Sequence, residues 1–274
     1  MTPMDHHTAP PCLPHMPAEP IRTPRMFCFP FAGSSSEYYR QWQPGLAASV
    51  RICPVELPGR ASRHGEPLAS DMAALVVELA QALLPFTSEP YLFFGHSLGS
   101  SVATLVLREL TRRGAPPPRL FFASGRFPIH LPHGGRTCHT LDDQALIEEI
   151  RRLGGTPEEV LTDPIFTRFF LPIVRADFRL LETFAPPEPE PLDAPIEVFG
   201  GVQDEDSPPW AMERWADWTS AGCRVRLFHG GHFFIDQNRE GVLAAIKDRT
   251  HAMCAATSDT LPGRTTARPA ETKA

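Results

Sequence analysis

Ser97 stands at the centre of Gly95-His96-Ser97-Leu98-Gly99, a Gly-x-Ser-x-Gly run. A serine hydroxyl is a weak nucleophile. It needs a base within hydrogen-bond reach, and the base needs an acid to orient it. Eleven histidines compete for the base. His6, His7 and His15 lie in a proline-rich leader, and His64 precedes the serine. His96 sits inside the pentapeptide, its side chain expected to point away from Ser97. His130, His133 and His139 open a helical stretch, and His251 is close to the C-terminal tail. That leaves Phe228-His229-Gly230-Gly231-His232-Phe233-Phe234, whose glycines free the backbone so that one imidazole can reach in. His232 is the better placed, and His229 reads as structural or solvent-facing. The acid is sought in Gly200-Gly201-Val202-Gln203-Asp204-Glu205-Asp206, with Asp204 the first choice and Asp206 the second. The His-x-x-His pair has no third ligand at a recognisable spacing, so no metal is expected.

The elements that must carry these residues are legible around them. Tyr91-Leu92-Phe93-Phe94 reads as a strand running into the pentapeptide, and Ser101 to Leu110 as the helix leaving it. Strand, sharp turn and helix in that order make a nucleophile elbow, the signature of the α/β-hydrolase fold, where chain order runs serine, acid, histidine. A Cβ at Gly95 or Gly99 would collide with neighbouring backbone. Further strands are expected at Arg25–Pro30, Val50–Glu56, Leu120–Ala123, Ile196–Phe199 and Arg224–Phe228. Met72, Leu75, Val76, Leu79 and Leu83 recur at helical spacing behind Ser70, a candidate N-cap. Strands alternating with helices predict a mostly parallel central sheet with helices on both faces. From about 129 to 191 the rhythm changes: Asp142–Leu153 and Pro164–Phe184 read as helices, with Pro172 a kink or break, and no strand falls between them. An all-helical insertion between two strands, beside the carboxyl ends of the sheet, is read as a lid. The oxyanion donors are expected to be the backbone N–H of Leu98 and one from the Phe31-Ala32-Gly33 loop.

At 274 residues the chain suits one α/β domain. Residues 1–24 and 252–274 are expected to be a structureless leader and tail around a domain at 25–251. A net charge of −6 offers no basic excess for phosphates, which argues against nucleic acid. No apolar run approaches a membrane span, and no secretory signal is seen. Six cysteines without Cys-x-x-Cys spacing fit reduced thiols in a cytoplasmic protein.

Six stretches in order resemble the stand-alone type II thioesterases of polyketide synthase and non-ribosomal peptide synthetase pathways. They are Phe29-Pro30-Phe31-Ala32-Gly33, Leu57-Pro58-Gly59-Arg60, the Ser97 pentapeptide, Leu171 to Phe178, Gly200-Gly201 with Asp204, and Gly230-Gly231-His232-Phe233-Phe234. The resemblance implies hydrolysis of acyl thioesters held on the phosphopantetheine arm of an acyl or peptidyl carrier protein, with no cofactor of the enzyme's own. It implies Ser97, Asp204 and His232 as catalytic residues, and the N–H groups of Ala32 and Leu98 as the oxyanion hole. It also implies an acyl chamber walled by lid residues, among them Ile165, Phe169, Phe170, Ile173 and Phe178. Arg151, Arg152, Arg168, Arg175 and Arg179 could steer an acidic carrier, or else be paired with nearby glutamates. A monomer is expected. The competing readings are a carboxylesterase for small free esters and a non-catalytic binding protein of the same fold.

Overall fold

The computed structural model describes residues 9–16, 23–132 and 137–258. Its centre is a six-stranded sheet of β1 (Arg25–Phe29), β2 (Arg51–Pro54), β3 (Tyr91–His96), β4 (Leu120–Ser124), β5 (Ile196–Gly201) and β6 (Cys223–Phe228). The strand order is β2-β1-β3-β4-β5-β6, and every pairing is parallel. Strand side chains alternate between faces, and the core divides accordingly. Phe27, Phe29, Phe93 and Phe121 pack on one side with Leu75, Leu79, Val102 and Val106. Met26, Cys28, Phe94 and Phe122 pack on the other with Trp42, Leu46, Val242 and Ile246. Those partners come from helices α1 (Met72–Leu83) and α2 (Leu98–Arg112) on the first face. On the second they come from the short helical segment between β1 and β2, residues 36–46, and from the C-terminal helix. Helices therefore cover both faces, as the alternating pattern implied.

The chain leaves β1, builds β2 on one side and returns to place β3 on the other. The carboxyl ends of β1 and β3 thus flank the point where strand order reverses, the place where open α/β sheets form their clefts. The loop after β1 and the turn after β3 meet there.

The insertion between β4 and β5 carries α3 (Asp143–Leu153), α4 (Glu158–Thr162) and α5 (Pro164–Thr183), and among its described residues no strand. It has a small core of its own, formed by Leu146, Ile150, Leu161, Leu171 and Val174. Helix α4 was not anticipated, because five residues carry too little periodicity. Helix α5 runs unbroken through Pro172. The proline is exposed, so the Arg168 carbonyl that loses its N–H partner lies on a solvated face and water can serve it. The cap of α1 is Asp71, whose side chain accepts from Ala74 N–H at 2.8 Å, and not Ser70.

Both expected structureless ends need correction. Within the leader, Cys12 and Leu13 are buried in the core on the α1–α2 face of the sheet, and the Cys12 carbonyl accepts from Glu56 N–H at 2.8 Å. Met16 packs on the same core and His15 Nε2 lies 2.9 Å from Glu37 Oε1, so the docking of this segment rests on contacts that composition does not announce. At the other end α6 (Arg239–Ser258) continues past 252. The remainder of both ends, with His6 and His7, lies outside the described residues, as does His133. Cys28 and Cys53 are buried and unpaired, Cys223 half-buried, and burial pushes the Cys53 thiol up to about 12.

Candidate active site

Ser97 adopts φ 53°, ψ −117°, a conformation costly for a residue with a Cβ. The surrounding contacts over-determine it. A Cβ at Gly95 would strike the Gly99 carbonyl, and one at Gly99 would strike the Phe29 carbonyl. Ser97 N–H donates to the Ser124 carbonyl at 2.9 Å. One turn on, Ser100 Oγ lies 2.6 and 2.9 Å from the carbonyls of Gly95 and Ser124, which share its single proton, and accepts from Ser124 N–H. Ser100 therefore stitches the elbow to β4. Sequence reasoning missed it, since a small polar residue at a helix start reads as ordinary.

His232 reaches the same place from the far side of the sheet. Beyond the strand ends the β5 and β6 loops stay zipped, with Val202 N–H donating to the Phe228 carbonyl and Gln203 N–H to that of Gly230, at 2.9 and 3.0 Å. That holds Asp204 against the histidine: His232 Nδ1 lies 2.9 Å from Asp204 Oδ2. Asp204 is 6% exposed, and its other oxygen accepts from Asp206 N–H. A carboxylate on Nδ1 fixes the tautomer and leaves Nε2 as the basic nitrogen. Asp206 instead pairs with Arg152 at 2.6 Å, so the structure joins the first-choice acid to the histidine and the second to the lid. His229 is exposed.

His96 lies with its ring centroid 5.2 Å from that of His232. It is fully buried against Phe31, Phe233 and Phe234 and shares a hydrogen bond with Ser124 Oγ. Burial, helped by the His232 charge, holds its pKa well below the usual histidine range. It therefore stays neutral and adds no second cation beside the base. The other described histidines are engaged elsewhere. His130 accepts from Trp218 Nε1, His139 pairs with Glu182, and His251 meets Ser49.

Two cavities meet at Ser97 and His232. The larger, about 580 Å³, is walled by Phe127, Leu131, Leu181 and Trp210 and carries Arg126. Burial lowers the pKa of that guanidinium to about 10. The smaller, about 300 Å³, is walled by Phe31, Ala32, Gly33, Ile150, Phe170 and Val174. Leu153 and Phe178 line both. Ala32 thus faces the same cavity as Ser97, and Leu98 opens α2 directly after it. Of the expected lid residues, Phe170 and Phe178 line the cavities. Phe169 and Ile165 do not; they are 68% and 72% exposed. Ile173 is half-buried and lines neither. Helical phase explains the split: Phe170, Val174, Phe178 and Leu181 recur on one face, whereas Ile165, Phe169 and Ile173 follow a neighbouring stripe. Arg126 and Phe127, just past the carboxyl end of β4, were also overlooked. The rule that clefts form outside strand carboxyl ends would have found them.

Three of the lid arginines are paired. Arg151 holds Glu148 and Glu158, Arg152 holds Glu149 and Asp206, and Arg175 holds Asp143 and the carbonyls of His139 and Leu141. Arg168 and Arg179 are exposed.

A family model described as "Thioesterase domain" matches residues 24–250. Linear gramicidin dehydrogenase LgrE of Brevibacillus parabrevis is 39% identical over 225 residues, covering 81% of this chain and 86% of that one. Among solved structures, ClbQ from the colibactin NRPS/PKS pathway is similar with a TM-score of 0.80 at 30% identity, over 85% of this chain and 99% of its own. The type II thioesterase BorB from the borrelidin biosynthetic cluster is similar with a TM-score of 0.75 at 30% identity, over 86% and 95%.

Proposed function

The chain belongs to the thioesterase domain family, as a thioester hydrolase akin to the type II thioesterases of NRPS and PKS pathways, and on that premise we propose that its substrates are acyl groups carried on the phosphopantetheine arm of acyl or peptidyl carrier proteins. Removal of stalled or aberrant acyl groups is the task that follows. The observation that carries the reading is the 2.9 Å contact of His232 with Asp204, together with a strained Ser97 that shares two cavities with His232.

His232 Nε2 takes the Ser97 hydroxyl proton as Oγ attacks the thioester carbonyl. The oxyanion is held by the N–H groups of Leu98 and Ala32. Collapse breaks the C–S bond, and the imidazolium returns its proton to the departing sulfur. Water then enters, gives a proton to His232 and attacks the acyl-enzyme; collapse releases the carboxylic acid and restores the Ser97 hydroxyl. Asp204 stays ionised and stabilises the imidazolium. A thiolate leaves readily, so the demand on His232 as an acid is light. Phosphopantetheine arrives with the substrate and is not a resident cofactor. The enzyme acts in this reading as a cytoplasmic monomer. Among the described residues no helix is long and apolar enough to cross a membrane.

Hydrolysis of a matched acyl group on a carrier protein and on a small aryl ester is the test. The reading requires higher kcat/KM on the carrier. A strong preference for the aryl ester sinks it in favour of a carboxylesterase.

A further inference from the structure

Two residues of the sequence runs play no part in the chemistry described so far, Arg60 after Leu57-Pro58-Gly59 and Asp177 in α5. They meet in a buried ion pair across 117 residues of chain. Arg60 Nη1 and Nη2 donate to Asp177 Oδ2 and Oδ1, each at 2.7 Å, and the two side chains are 3% and 1% exposed. A guanidinium and a carboxylate in this two-bond arrangement fix each other's orientation.

The pair does not merely join lid to body. Asp177 Oδ2 also accepts from Gly33 N–H at 2.8 Å, and Arg60 Nη1 donates to the Ser34 carbonyl at 3.2 Å. Gly33 follows Ala32 in the loop expected to hold the oxyanion. Its φ of +79° suits glycine, and a Cβ there would lie 2.7 Å from both Phe170 and Val174. Phe170, Val174 and Asp177 therefore bear on this one residue from successive turns of α5. Further along, Ser36 N–H and Oγ both donate to Glu56 Oε2, at 3.2 and 2.6 Å. Glu56 is buried, and its pKa is raised by that burial. The body thus pins the loop at Ser36 and the lid pins it at Gly33. Turning the Ala32–Gly33 peptide toward Asp177 restricts the backbone of Ala32 and so the direction of its own N–H.

We infer that Asp177, with Arg60, is a positioning pair for the oxyanion loop, so that docking of α5 and alignment of the Ala32 N–H are a single event. This rests on the proposed serine mechanism. A lid that lifts withdraws the acceptor from Gly33 and leaves the Ala32–Gly33 peptide held only by the Ser34 N–H to Phe31 carbonyl bond of its own turn, and the site is competent only with the lid seated.

Two double variants separate alignment from stapling, because neither leaves a buried charge unpaired. R60M/D177N keeps an acceptor for Gly33 N–H, and R60M/D177L removes it. The probes are an acyl-N-acetylcysteamine thioester and an alkyl fluorophosphonate, whose tetrahedral adduct on Ser97 uses the same donors. R60M/D177L is expected to lose on the order of 10²-fold in kcat and in labelling rate. Its KM should stay within about threefold of wild type, since binding is left intact. R60M/D177N should recover to within about tenfold of wild type. Gly33→Ala, which pushes the loop off α5 without touching either charge, should lower kcat on the same scale, and it serves if the leucine variant does not fold. Equal rates for the two doubles, a loss confined to KM, or wild-type kcat in Gly33→Ala would each overturn the pairing. A wild-type enzyme that hydrolyses neither probe and is not labelled at Ser97 would remove the serine mechanism beneath it.

Discussion

The two halves of the reaction centre are held in opposite ways. The elbow is fixed by close backbone packing, within residues 95–100 and against the Phe29 and Ser124 carbonyls of the two neighbouring strands. Gly95 and Gly99 bring backbone against backbone, and Ser100 ties the turn to β4. The loop after β1 has one local bond, from Ser34 N–H to the Phe31 carbonyl at 3.0 Å, and is otherwise held at Gly33, Ser34 and Ser36 by the side chains of Asp177, Arg60 and Glu56, which come from elsewhere in the chain. Nucleophile geometry therefore rests on backbone packed against the sheet, while oxyanion geometry rests on side chains, two of them an ion pair between lid and body. Damage to the first should be all-or-none, and damage to the second graded.

The largest effect expected is on the elbow side. Ser97→Ala should cut thioester hydrolysis by roughly 10⁶-fold with an unchanged thermal midpoint, read by thiol release and calorimetry. Asp204→Asn should cost roughly 10⁴-fold in kcat by disturbing the imidazole tautomer, with Asp206→Asn far milder. A finding that Asp206→Asn is the more severe would reverse the assignment of the acid. Gly99→Ala should destabilise the fold by about 3 kcal/mol in urea titration, because the Phe29 carbonyl beneath it cannot move aside. The contrast predicts that Gly33→Ala, whose neighbours are side chains, unfolds less readily while still slowing turnover. Phe178→Ala, at the wall shared by both cavities, should shift chain-length preference by about tenfold in kcat/KM, measured across an acyl series.

The smallest effect tests the neutral neighbour of the base. His96 has a depressed pKa in the fold, so the unfolded chain binds the extra proton first as pH falls. Its stabilisation is complete above the unfolded pKa of about 6.5 and declines below it, by about 1 kcal/mol between pH 6.5 and 5.5. His96→Gln should flatten that part of the stability profile. A slope identical to wild type would show that His96 takes up its proton in the fold just as in the unfolded chain, and that burial does not hold it neutral.

Legibility followed the same division. The strands, the elbow, His232 and Asp204 were readable because each is announced by its immediate neighbours: an apolar run, a glycine, the end of a strand. The Arg60–Asp177 pair was not, since nothing at either position points to the other across 117 residues. Phe169 and Phe178 could not be told apart by composition, because α5 is apolar on more than one stripe and only its docking decides which faces inward. Ser70 and Asp71 are both competent caps, and the choice depends on where α1 must begin to pack. Pro172 failed to end α5 because the bond it removes lies on the wet side.

The buried leader segment carries a consequence for modularity. The family match begins at residue 24, yet Cys12 and Leu13 occupy the core. The matched unit and the unit that folds are thus not coextensive. Residues 24–250 grafted into another chain would arrive with an open apolar slot near Glu56, where Cys12 docks, and a recipient without a segment to fill it would inherit a weakened module.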